Sequence, residues 1–302
     1  VLLRFIIDFV KPDIIQSIKY QFKKLTNSNI SQYQIKKFIL PIIEYINYSP
    51  YNKFLISGSQ GIGKTTLLKI IEIILKKKFN KRILNLSLDD FYFDKKEREK
   101  LAINIHSLLK TRSVPGTHDI VYLLKTIKKF NHSMYPIKLP LFNKLSDSRQ
   151  KKYKIIKAKC DILILEGWCV GCPPISRNYL LSNINSLERL FDNNGKWRKF
   201  YNKQLKNKYL KVFREFNSII YLKAPSFTHV LNWRVKQENY LRKINKKNTS
   251  SGMSANEITN FVQYFEKISK WMLKKMPDLA DMVIYVSKNQ KISRIKKTIR
   301  KF

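Results

Sequence analysis

Residues 58–66 read GSQGIGKTT, and the spacing G-x-x-x-x-G-K-[ST] runs through Gly58, Gly63, Lys64 and Thr65, with a further glycine at 61. These residue types suit one kind of ligand. Glycines let successive backbone N–H groups turn inward around a phosphate at the amino end of a helix. The lysine then reaches the outer phosphates, and the threonine hydroxyl can ligate a divalent cation. The motif predicts a nucleoside triphosphate site in which Gly58, Ser59, Gln60, Gly61, Ile62, Gly63, Lys64, Thr65 and Thr66 hold ATP and Thr65 serves Mg2+.

Two acidic points follow. LDDFYF (88–93) sets Asp89 and Asp90 at the end of an apolar run. A carboxylate facing the terminal phosphate can accept the proton of an attacking hydroxyl, although Asp also suits a helix N-cap. Asp89 is read as the base, with Asp90 as cap or acceptor contact. Glu166 closes the apolar run DILILEG (161–167), the place for an acid that serves Mg2+ directly or through water.

Between them, RSVPGTHD (112–119) and LPLFNKLSDSR (139–149) carry Arg112, His118, Asp119, Lys144 and Arg149. These groups suit an anionic or polyhydroxy acceptor, since Arg can grip a carboxylate through two bonds. Tyr92 and Trp168 complete the expected acceptor pocket. Residues 233–256 read as a charged helical hairpin that closes over bound nucleotide, with Arg234 and Arg242 neutralising charge that develops in the transfer.

Cys169 and Cys172 form a C-x-x-C pair. A zinc site needs two more ligands, which no second C-x-x-C or paired His supplies. A thioredoxin-like pair opens a helix, whereas Pro173 and Pro174 follow this one. Cys172 is read as incidental, and Glu166, not the sulfurs, as what matters there.

The elements that must position these groups are five strand candidates: KFLIS from 53, RILNLSL (82–88), DILILEG (161–167), NSIIYLKAP (217–225) and DMVIYVS (281–287). Helical stretches separate them, and a basic helix is expected after the fifth. This alternation predicts a P-loop NTPase of the α/β class: three layers, α/β/α, around a mostly parallel five-stranded sheet. Ligands then sit at the carboxyl ends of the strands. Residues 1–48 read as a helical N-terminal extension, with Pro41 breaking its second run. The kinase-type domain takes 49–302, with a helical insertion at 180–216 around Asn193-Asn194-Gly195.

The formal net charge is +39 in 302 residues. Lys outnumbers Arg more than threefold, whereas base and phosphate readout favours Arg. No nucleic-acid partner is expected. Three Cys imply no disulfide framework and a reducing compartment, the cytoplasm or a plastid stroma. The apolar start VLLRFIIDFV is too short to span a bilayer, which takes about 20 residues.

In order along residues 48–300, SLDDFY, PGTHD, LEGWCVG, GKWR, APSF, WRVKQE and GMSANEITNFVQYFEKISKWML resemble D-glycerate 3-kinase of the plant and cyanobacterial type. That family is similar in turn to uridine kinase, phosphoribulokinase and bacterial pantothenate kinase. The resemblance implies transfer of the ATP γ-phosphate to the 3-hydroxyl of D-glycerate, a small hydroxy acid. It puts Asp89 at the position of the base, Glu166 at the metal-site acid, Arg149 after the acceptor loop and Arg234 in the lid. Phe142-Asn143-Lys144 departs from the family's Phe-Asp-Lys, and LSDSR shortens its glycine-rich piece. A nucleoside or pantothenate kinase and a non-catalytic nucleotide-binding protein are the alternatives. Nucleoside kinases carry a His-Pro-containing loop where this chain has PGTHD.

Overall fold

Apolar runs such as FLIS and ILIL have no polar face, so a strand built from them must be covered on both sides. The computed structural model places them side by side in one sheet. It describes the backbone of residues 2–144, 146–244 and 255–298, and the side chains of 12–144, 146–236 and 257–298.

Helices α1 (Leu2–Thr26), α2 (Gln32–Gln34) and α3 (Leu40–Tyr48) precede β1 (Lys53–Gly58) and α4 (Lys64–Phe79). Strand β2 (Ile83–Ser87) runs into a single 3-10 turn at Leu88–Phe91, then α5 (Lys95–Asn104) and α6 (Ile120–Asn131). Two short antiparallel pairs follow: β3 (Ile137–Leu139) with β6 (Lys154–Ile156), and β4 (Phe142–Asn143) with β5 (Ser148–Arg149). Next come β7 (Ile162–Gly167), α7 (Arg177–Leu181), α8 (Ser186–Phe191), α9 (Lys196–Gln204) and α10 (Leu210–Phe213). The chain continues through β8 (Ser218–Lys223), α11 (Phe227–Ile244), α12 (Ala255–Leu279), β9 (Met282–Val286) and β10 (Ile292–Lys297).

The central sheet has the order β10-β9-β8-β1-β7-β2. Side chains alternate across it with a period of two. Leu55, Leu84, Leu163 and Tyr221 face one apolar layer, which includes α6 and α12. Phe54, Ile83, Ile164 and Ile220 face the other, formed by α4, α11 and the N-terminal helices. Ile14, Ile18, Ile35 and Ile42 lie in that second layer together with Ile71 and Ile74 of α4.

All five expected strands are present, and the sheet has a sixth. The expected basic helix after β9 is instead β10, antiparallel to β9. Ile292 and Ile295 are three residues apart, a helical spacing in sequence. The pairing shifts between Ile292 and Arg294, and this bulge brings both isoleucines onto the same layer. Pro41 likewise does not break its run. A wide π-type turn at Ile35–Ile39 precedes α3, and such a turn gives the proline ring room.

The insertion is helical around Gly195, as expected. Arg198 of the GKWR string is fully buried, donating through Nε to Asp192 Oδ2 at 2.8 Å and through its terminal nitrogens to Ser182 O and Asp192 O. It ties α9 to the two turns around α8.

Glu166 has the parity of Ile162 and Ile164, and Ser87 that of Ile83, so both point to the α4 side of the sheet. Gly167 follows at a close approach. A Cβ there would lie 2.9 Å from Leu88 Cβ and 2.8 Å from Val170 Cγ2. The absent side chain lets the 3-10 turn bearing Asp89 lie directly on β7. Gly167→Ala should lose about 1–3 kcal/mol of stability by overpacking, read as a lower urea midpoint. An unchanged midpoint would show that this contact is not tight.

Candidate active site

The loop after β1 enters α4 through Gly63, whose φ of 102° is open to glycine and strained for other residues. Lys64, the first residue of the helix, is buried. Its ammonium donates to Gly58 O at 2.7 Å and Ser59 O at 3.1 Å. Burial pushes its pKa down, while Glu166 and Asp89 oppose the shift through their charges. Thr65 is exposed on the same first turn. The far side of the loop is held by groups distant in sequence. Gln290 Nε2 donates to Gly61 O at 2.6 Å, and Trp233 packs against Gly61 while its Nε1 donates to Lys288 O at 3.1 Å.

Glu166, next to the last residue of β7, lies opposite Ser87, whose hydroxyl donates to Glu166 Oε1 at 2.6 Å. Ser87 carries no motif signal; only its strand parity points to it. Asp89 Oδ2 accepts from Lys144 Nζ at 2.7 Å. Burial is the largest influence and would raise the Asp89 pKa, but the Lys144 charge and hydrogen bond, with smaller contributions from His118 and Lys64, together hold the carboxyl below its ordinary range. Lys144 is raised in turn, mainly by Asp89. Asp90 is held differently. Its Oδ1 accepts from the Phe142 N–H at 3.1 Å, and burial raises its pKa to about 6, with Asp89 adding to the shift.

His118 is buried against Tyr92, ring centroids 4.0 Å apart. Its Nδ1 lies 2.6 Å from Tyr209 Oη, which accepts from Gly116 N–H at 3.0 Å. Tyr209 Oη can donate to Nδ1 or accept from it, so the direction of this bond follows the tautomer of the ring. Burial pushes the His118 pKa down to about 3, and Nε2 has no hydrogen-bond partner among the described residues. Tyr209 lies in the helical insertion, where the sequence shows no sign of such a role.

The remaining expected acceptor residues are brought to the same region, several in mutual contacts. Arg112 pairs with Asp147, as does the fully buried Arg98, whose Nη2 lies 2.7 Å from Asp147 Oδ2. Arg149 donates through Nε to Tyr92 O at 2.8 Å and through Nη2 to Asp119 Oδ2 at 3.2 Å. Asp119 also caps α6 through the Tyr122 N–H. Arg149 and Asp119 thus brace the turn behind Asp89. Trp168, expected to line the pocket, is turned into the core and lies edge-on to Phe265 at 4.9 Å. Tyr92 is also buried, its hydroxyl donating to Ser113 O at 3.2 Å. Cys169 and Cys172 are free and buried, with pKa values raised by burial, so neither is set up for redox or metal chemistry. Among the described residues no cluster of three His, Cys, Asp or Glu side chains could hold a metal ion.

Arg234 lies half-buried on α11, next to Trp233. Arg242 is on the same helix, but its side chain and residues 245–254 lie outside the described residues. Across the carboxyl ends of β8 and β9 is a cavity of about 450 Å³, lined by Ala224, Pro225, His229, Val286, Ser287 and Lys288 among others. Along the sheet the order is therefore cavity, phosphate-type loop, Glu166, then Asp89 with Lys144.

The fission-yeast kinase mug58 (Schizosaccharomyces pombe), itself uncharacterised, is 30% identical over 221 residues, covering 70% of this chain and 76% of its own. The probable ATP-dependent kinase TDA10 of Saccharomyces cerevisiae is 28% identical, covering 76% and 80%. Among solved structures, D-glycerate 3-kinase from Cryptococcus neoformans superposes with a TM-score of 0.71 at 20% identity, over 86% of this chain and 97% of that one. No protein-family model matches the chain. No described helix is long and apolar enough to cross a membrane.

The two neighbouring aspartates give a pH test. Asp90 has a raised folded pKa, so its contribution to stability is full below the unfolded value of about 3.9 and is lost as pH rises through 6. Asp90→Asn keeps an acceptor for Phe142 N–H and removes the charge. Its melting temperature should exceed that of wild type above pH 6, and the gain should vanish below about pH 4. A gain that persists at low pH would contradict this assignment. With its loop, strand-end acids, sheet order and similarity to mug58, the chain belongs to the P-loop kinases, a phosphotransferase family.

Proposed function

We propose that this kinase transfers the γ-phosphate of ATP to the 3-hydroxyl of D-glycerate, giving 3-phosphoglycerate and ADP. The observation that carries the reading is Asp89. It lies under the influence of the phosphate-loop lysine on one side and pairs with the half-exposed Lys144 on the other. A carboxylate in that position suits an acceptor that brings both a hydroxyl and a negative charge.

In this reading the adenine base occupies the cavity at the ends of β8 and β9, and the phosphates lie in the loop from Gly58 to Thr66. Lys64 exchanges the carbonyls of Gly58 and Ser59 for phosphate oxygens. Thr65 and Glu166, the latter oriented by Ser87, would hold Mg2+ through hard oxygen donors. Bound there, Mg2+ neutralises charge on the phosphate oxygens. Asp89, ionised at neutral pH, accepts the proton of the acceptor hydroxyl as that oxygen bonds to the γ-phosphorus and the bond to ADP breaks. His118 and Arg112 complete the acceptor side. Arg234 and Arg242 act from the lid helices. The acceptor is a small molecule, with neither a nucleic-acid nor a membrane partner.

The direct test is ADP release by the purified protein with ATP and Mg2+ across D-glycerate, L-glycerate, uridine and pantothenate. D-glycerate should support turnover. Turnover on another acceptor with none on D-glycerate would overturn the assignment. Asp89→Asn should retain ATP binding and lose about 100-fold or more in kcat, the usual range for removing a general base. A rate near that of wild type would take the base role from Asp89.

A further inference from the structure

The cations around Asp89 differ in how firmly they are held. Lys64 is buried on two backbone carbonyls. The Arg112 side chain is 13% exposed and pairs with Asp147, and that of Arg149 is 22% exposed and pairs with Asp119. The Lys144 side chain is 59% exposed, and among the described residues it bonds to Asp89 Oδ2. It directly follows β4, in a hairpin whose far side is anchored by Asp147 on Arg98 and Arg112. Asp90 is bonded to the Phe142 N–H at the base of the same hairpin. The hairpin is thus pinned at its root, while its lysine reaches back over the candidate base.

This contact is a poor resting place for a base. A carboxylate engaged by an ammonium has one oxygen occupied and a weakened affinity for a proton. A half-exposed ion pair is also held weakly and exchanges partners readily. An acceptor with its own carboxylate offers Lys144 a replacement partner, and a neutral polyol offers none.

We propose that Lys144 is a specificity-determining residue that reads the acceptor's negative charge: the acceptor carboxylate draws the Lys144 ammonium from Asp89, and Asp89 is released to take the acceptor hydroxyl. The inference rests on the reading of Asp89 as base and of the acceptor as a hydroxy acid. Selection of an anionic acceptor is thereby coupled to activation of the base. A neutral acceptor of the same shape meets a carboxylate still occupied by Lys144.

The test compares D-glycerate with glycerol, which replaces the carboxylate by a hydroxymethyl group, in wild type, Lys144→Met and Lys144→Gln. Wild type should strongly prefer D-glycerate. Both variants should raise its KM about tenfold or more, from loss of a charge-assisted contact, and should raise kcat/KM on glycerol. The discrimination between the two acceptors then collapses. A parallel fall on both acceptors, or an unchanged preference for D-glycerate, would overturn the proposal. The side chain is mostly exposed, so the folded state should survive either change, and matching melting curves establish that. If wild type turns over pantothenate and not D-glycerate, the D-glycerate assignment fails. The same comparison then runs on pantothenate and its neutral alcohol, with the same two outcomes. Wild-type turnover on uridine with no activity on any carboxylate would overturn both.

Discussion

A buried ammonium must be bonded and must face compensating charge, and the site is arranged around that requirement at Lys64. The carbonyls of Gly58 and Ser59 provide the bonds, and Glu166 and Asp89 provide the charge. None of the four can be moved independently. Parallel register sets Ser57 beside Gly167 and Ser87 beside Glu166, so the ends of β1, β7 and β2 open on one edge. Gly167 lets Leu88 close onto β7, and this fixes how far Asp89 stands from the loop. A phosphate arriving at the loop meets a lysine already oriented and two carboxylates already in place.

From this arrangement follows a division of labour between adjacent residues of the same type. Asp89 and Asp90 share a turn but not an environment. One faces ammonium groups and is held ionised, whereas the other is buried against a backbone N–H and has its pKa raised to about 6. The first keeps its charge at the site and the second pins the β4–β5 hairpin. A comparable division separates the basic residues. Arg98, Arg149 and Arg198 make bonds that hold turns in place, while Lys144 stands exposed. Much of the chain's positive charge near the site is therefore scaffold.

What could be read in the sequence was what has a strong local cause. The phosphate loop, the five apolar strands and the acids that end two of them follow from glycine placement, from burial on both faces and from the rule that sites form at strand ends. Strand β10 was not readable, because a bulge places residues with helical spacing on one side of a strand. The run through Pro41 was misread because a π-type turn can absorb a proline. Ser87, Tyr209 and Gln290 act on groups 79, 91 and 229 residues away, and no local pattern announces a partner at such a distance. Trp168 and Arg149 show the converse. Both stand in motif-like strings, but one packs in the core and the other braces a backbone turn.

The central claim is that Lys64, Glu166 and Asp89 form one phosphoryl-transfer site with the acceptor hydroxyl at Asp89. A crystal structure with a non-hydrolysable ATP analogue, Mg2+ and D-glycerate tests it most directly. The account predicts that Lys64 Nζ leaves the Gly58 and Ser59 carbonyls for phosphate oxygens, and that an acceptor hydroxyl bonds to Asp89. A complex in which Lys64 stays on those carbonyls, or in which the acceptor hydroxyl lies away from Asp89, would contradict it.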